Sequence, residues 1–117
     1  MNSKHVRKQH KARYTAPLHV RQKLMGAPLA KELRTQFKKR SASVRKGDKV
    51  KVLIGNYRGN VGKVDGVSLM RGKVTIEGIE KQKTDGTKVK VWIQPSNLVI
   101  LELNLEDPKR KKIIERK

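Results

Sequence analysis

From Gly47 onward the hydrophobic period of this chain is two, and turn signals interrupt it. "KVKVLI" sets Val50, Val52 and Ile54 against Lys49, Lys51 and Leu53. "NVGKVDGV" and "KVTIEGI" follow, parted by "SLMRG" as a turn. Beyond an Asp85-Gly86 hairpin signal in "KTDGT", "KVKVWI" places Val89, Val91 and Ile93 on one face. "QPSN" suits one tight helical turn, and "LVILEL" forms a last strand. Successive strand side chains point to opposite faces, so each run buries one face and wets the other. Five short strands parted by turns predict a mainly β fold, a small antiparallel barrel over residues 42–104.

Charge divides the rest. Of 117 residues, 30 are Lys or Arg and 10 are Asp or Glu, a net charge of +20. Residues 1–46 carry 14 cations against the single acid Glu32, residues 47–104 carry 10 against 6, and residues 105–117 carry 6 against 3. Basic arms therefore flank a nearly neutral middle. Such an excess opposes compaction until a polyanion neutralises it; nucleic acid is the expected partner and an anionic membrane surface the main competitor. No apolar run approaches the roughly 20 residues of a membrane span, and no secretory h-region follows Met1. The absence of cysteine suits a reducing compartment, so a soluble cytoplasmic protein is expected.

Residues 1–16 lack an apolar period and are expected to be an extended arm that orders on a partner. Pro17 opens a short helix to Met25, with Gly26 just beyond its end. Pro28 opens a second, in which Leu29, Leu33 and Phe37 share a face and Lys38, Lys39 and Arg40 fill the last turn. Residues 1–41 thus form a basic extension with two short helices. Residues 105–117 form a basic helical tail, with Asp107 as cap and Pro108 at the first helical position.

"VLIGNYRGNVGKV" concentrates Gly55, Asn56, Gly59 and Gly62 between two strands. A phosphate-cradling loop needs a helix start directly after its glycines, and here strand follows; Lys63 also precedes Val64 rather than Ser or Thr. A hairpin is the better reading, with Gly55, Gly59 and Gly62 letting it turn. "VRKGDKVKVLIGNYRGNVGKVDGV" resembles the KOW motif of ribosomal proteins and transcription elongation factors. The flanks "APLHVRQKLMGAPLAKELR", "GTKVKVWIQPSNLVI" and "DPKRKKIIERK" resemble the large-subunit ribosomal protein family L-twenty-four, archaeal and eukaryotic branch. That resemblance implies an SH3-like barrel bound to the first domain of large-subunit ribosomal RNA near the polypeptide exit tunnel. It also implies early action in assembly, extensions embedded in RNA, and a monomer beside neighbouring ribosomal proteins. The alternatives are the KOW module of an elongation factor and a DNA-compacting chromatin protein.

The expected RNA contacts begin with the arm: Lys4, Arg7, Lys8, Lys11, Arg13, Arg21 and Lys23. A solubility tail is the plainer reading, but such a tail gains more from acids. Arg34, Lys38, Lys39, Arg40, Arg45 and Lys46 continue the basic surface. At the hairpin tip, Asn56, Tyr57 and Arg58 are set to meet RNA, Tyr57 either stacking on a base or folding back over the core. Lys63, Lys83 and Lys88 extend the surface, with Lys81 beside the Asp85-Gly86 turn. Trp92 either stacks on a base or lies under the helix carrying Leu33, the second being favoured. His5, His10 and His19 are irregularly spaced and make no zinc site. No nucleophile–base set or carboxylate pair emerges, Asp48, Asp65 and Glu77 being read as balancing cations. No enzyme, cofactor, metal, membrane or small-molecule substrate is expected.

Overall fold

A computed structural model describes residues 3–116; Met1, Asn2 and Lys117, the outermost residues of the two basic extensions, lie outside the described residues. Residues expected to be extended are helical: α1 spans Val6–Thr15. Arg, Lys, Gln and Ala are good helix formers, so local propensity favours a helix here although no apolar stripe marks it. After Pro17 comes α2 (Leu18–Arg21), continued by a 3-10 turn over Gln22–Leu24. Met25 ends that helical run, where the sequence predicted its end.

Strand β1 (Gly26–Pro28) then precedes α3 (Lys31–Phe37) and β2 (Ser41–Ser43). Pro28 does not open α3, as expected from sequence; it pairs with Ser41 in the β1–β2 ladder. Leu29 also stays outside the helix. Its N–H donates to the Arg40 carbonyl at 2.9 Å, and the Ala30 N–H donates to the Ile100 carbonyl at 3.0 Å. Lys38 ends α3 in the left-handed region at φ 57°. The three basic residues therefore follow the helix rather than filling its last turn.

The remaining strands are β3 (Lys49–Val52), β4 (Val61–Ser68), β5 (Lys73–Ile76), β6 (Glu80–Gln82), β7 (Lys88–Lys90) and β8 (Leu98–Glu102), with a 3-10 turn over Pro95–Asn97 before β8. Helix α4 (Pro108–Glu115) ends the described chain. The fold is mainly β, with antiparallel sheets and a few short helices. The central sheet has the order β5-β4-β3-β8, and β1-β2 and β6-β7 form two-stranded ladders. The expected five strands are present; β1, β2 and β6 were not foreseen. Among the described residues β5 and β8 do not pair with each other, so the sheet is open. Its edges are covered locally: Ile93 exchanges two backbone hydrogen bonds with Val74 on β5, and Leu29 bridges Ile100 on β8. Such cover blunts unpaired edges.

The core joins Val50, Val52, Val64, Val74, Ile76, Leu98 and Ile100 from the sheet to Met25, Ala27 and Leu29 from the segment before it. Ile54 is a correction to the alternation: it is 63% exposed, because β3 stops at Val52 and the chain turns away.

Candidate nucleic-acid interface

The arm cations sit on or beside α1. Lys4, Arg7, Lys8, Lys11 and Arg13 are exposed, and no residue of the helix is buried. On α1, Arg7 and Lys11 stand at i,i+4, where like charges repel. A ten-residue helix is already below the roughly 12–15 residues at which isolated helices become stable. A polyanion on this face relieves the repulsion, which ties anion binding to helix stability. Lys23, on the following 3-10 turn, is exposed too.

Arg21 plays another part. Its guanidinium donates to the carbonyls of Ala16 at 2.9 Å and Met70 at 2.8 Å, and also to that of Tyr14. It thereby joins the end of α1 to the β4–β5 turn. Between them lies a groove of about 610 Å³ whose walls include His10, Arg13, Tyr14, Arg21, Arg71 and Lys73, with no acidic residue. Tyr14 stands 82% exposed beside it.

A hairpin joins β3 to β4 across the glycine-rich stretch. The Gly59 N–H donates to the Val52 carbonyl at 2.8 Å, and Val52 N–H to that of Asn60 at 2.9 Å. Gly55 and Gly59 adopt φ of 97° and 89°, a region that side-chain-bearing residues disfavour. Gly62 serves differently from the expectation that it helps the turn. It lies in β4 opposite Val50, and a Cβ there would meet the Glu77 carbonyl oxygen at 2.7 Å. It permits a close backbone approach.

At the tip, Asn56 and Arg58 are exposed, whereas Tyr57 is half-buried and packs against the core. Trp92 does not lie under α3, as favoured from sequence. It is 38% exposed, with the Arg71 guanidinium 5.1 Å from its ring centre, and shares a second groove of about 290 Å³ with Asn56, Tyr57 and Lys73. Sequence pairing could not foresee Arg71, which comes from the turn after β4. Lys63 on β4, and Lys81, Lys83 and Lys88 around the β6–β7 hairpin, are exposed.

Other candidates are partly engaged within the protein. The Arg34 side chain donates to the Leu29 carbonyl at 2.8 Å, and Lys39 Nζ to that of Ile113 at 2.6 Å. Arg45 pairs with Asp107 at 3.0 Å. Lys38, Arg40 and Lys46 remain exposed. The Lys90 ammonium binds the Asp65 carboxylate; that hydrogen bond holds Asp65 below the usual carboxylate range and raises Lys90.

One cation of the C-terminal tail is internal. Arg110 donates through Nη1 to Asp48 Oδ1 at 2.5 Å and through Nη2 to Oδ2 at 2.6 Å, with both residues buried. It also reaches the carbonyls of Asn104 at 2.7 Å and Ser43 at 3.1 Å. Asp48 further accepts from the backbone N–H groups of Arg45 at 3.0 Å and Asn104 at 2.9 Å. Asp48 therefore balances a cation, as expected, but one from the far end of the chain.

Among the described residues the surface presents exposed cations and two grooves with aromatic walls, and no acid–base site is assembled. Residues 3–117 match the family model of ribosomal proteins L26 (eukaryotic) and L24P (archaeal). The large ribosomal subunit protein uL24 of Methanosarcina barkeri is 50% identical over 116 residues, covering 99% of this chain and all of the relative. That of Methanothrix thermoacetophila has the same identity and coverage. The uL24 of Methanosphaera stadtmanae is 47% identical over 115 residues, 98% of each chain. By this match along its whole length, the chain belongs to the family of eukaryotic L26 and archaeal L24P ribosomal proteins.

Proposed function

We propose that this chain is a structural, non-enzymatic constituent of the large ribosomal subunit in the cytoplasm, and that it binds ribosomal RNA. The end-to-end likeness to archaeal uL24 carries the reading. The acid-free cationic helix α1 and the exposed hairpin lysines support it. The finer reading is an SH3-like KOW unit over residues 42–104 with RNA-embedded extensions. It engages the first domain of the large-subunit RNA near the exit tunnel and assists early assembly beside neighbouring ribosomal proteins.

Lys4, Arg7, Lys8, Lys11, Arg13 and Lys23 neutralise phosphates in this mechanism and release counterions. Asn56, Arg58, Lys63, Lys83 and Lys88 set register on the RNA surface. Arg34, Lys38, Lys39, Arg40, Arg45 and Lys46 widen the field, those already bonded within the protein contributing charge rather than new contacts.

The test is competition at fixed, near-physiological salt. The labelled ligand is the first domain of large-subunit RNA, challenged by equal charge equivalents of unlabelled fragment, duplex DNA and unrelated structured RNA. Displacement by the unlabelled fragment alone is the expected result. Equal displacement by all three would mean non-selective polyanion binding and overturn the reading.

A further inference from the structure

We infer that the two grooves form one track for an unpaired RNA strand, with Tyr14 and the Arg71–Trp92 stack as base platforms. The inference rests on the RNA-binding reading above and narrows its ligand to single-stranded RNA.

The grooves adjoin, since Lys73 lines both. Arg71 lines the first groove while its guanidinium covers Trp92, which lines the second. A strand following the surface therefore meets Tyr14, then Arg71 and Lys73, then Trp92 and Tyr57. Aromatic rings and guanidinium planes are the surfaces on which unpaired bases stack, while neighbouring cations take the phosphates. Arg13 and Lys73 are exposed and placed for that second role. Tyr14 is 82% exposed, so its ring is open to an incoming base.

The track is also held in shape. Arg21 fastens the carbonyls of Tyr14 and Ala16 to that of Met70, so the two walls of the first groove are fixed before a ligand arrives. Preorganisation lowers the ordering cost of binding. The lining carries no acid, which suits a polyanion. A duplex fits poorly: its bases are stacked on one another, so concave aromatic walls cannot reach their faces.

Trp92 is the only tryptophan, so its fluorescence reports on the track directly. The full chain is titrated at fixed salt with an unpaired RNA hexanucleotide, oligoadenylate, and with an RNA duplex of equal phosphate number. The hexanucleotide should quench Trp92 saturably and the duplex should not. Tyr14→Ala, at an exposed position whose melting temperature serves as the folding check, should weaken hexanucleotide binding roughly 5- to 100-fold. Lys73→Gln should lower the salt slope by about one. Equal quenching by the duplex, an unaltered Tyr14→Ala titration, or a response to hexaglutamate in place of RNA would each overturn the track. If the ribosomal fragment binds selectively while the hexanucleotide does not, the track falls and the ribosomal reading stands; if neither binds, both fall.

Discussion

Helices α1 and α4 look alike on paper. Each is short, lysine- and arginine-rich, and placed in a terminal extension. In the fold they are opposites. Helix α1 buries nothing and has no side-chain cap, His5 standing at its N-cap. Helix α4 is capped by Asp107, whose carboxylate accepts from the Lys109 N–H at 3.0 Å, and it buries Arg110 and Ile114. One basic helix lies wholly on the surface; the other buries two of its side chains. Basicity alone does not separate them. What does is a buried carboxylate, Asp48, that needs a counter-charge and lies within reach of only one.

The sharpest test removes that counter-charge. Arg110→Met should destabilise the protein by about 3–5 kcal/mol, because an unpaired buried carboxylate remains. For a domain of this size that is a fall of roughly 10–20 °C in Tm. A change of only a degree or two would break the comparison, since α4 would then be as dispensable to the core as α1.

Deleting residues 1–24 tests the other member. The cut stops before Met25, which is 1% exposed, so Tm should change little while affinity for the ribosomal RNA fragment falls about 100-fold or more. A large loss of Tm would mean that the Arg21 ties stabilise the core, and the contrast with α4 would shrink to one of degree.

Asp107→Ala removes both the cap and the Arg45 pair from α4. Thermal melting should show a loss less than about a third of that for Arg110→Met. A loss as large would move the weight of α4 from its buried pair to its first turn.

The smallest effect concerns pH. The backbone hydrogen bond from Lys109, then Arg45, holds Asp107 below its ordinary 3.8; the Lys90 hydrogen bond does the same for Asp65. Folded values below unfolded ones mean stabilisation that is complete above that ordinary value and lost as pH falls through the folded ones. Stability from these groups should be level from neutral pH to about pH 5 and decline below it. The decline should be shallower in Asp107→Ala; an acid limb of unchanged steepness would remove Asp107 from the account.

Some of this was legible because its causes are local. The hairpin at Gly55–Asn60, the Ser68–Gly72 turn, the Pro95–Asn97 turn and the Asp107–Pro108 helix start each follow from residues a few positions apart. Helix α1 was missed because amphipathic periodicity registers a helix only when it has a core to face. Strand β1 was missed because Pro28 reads as a helix start, whereas its missing N–H is equally tolerated in a short edge ladder. Tyr57 and Trp92 were recognised as aromatic candidates, but their shared groove and the Arg71 stack depend on three separate segments.

By itself, then, the sequence determined the strand alternation, the turns, the capped final helix and the cationic character of both ends, since these depend on neighbours along the chain. The tertiary structure decided which cations face solvent, which hold carbonyls and which one pairs with Asp48 across 62 residues. The physical reason is range. Propensity and capping act within a turn or two, whereas the desolvation of a carboxylate can be offset only by whatever the completed fold brings beside it.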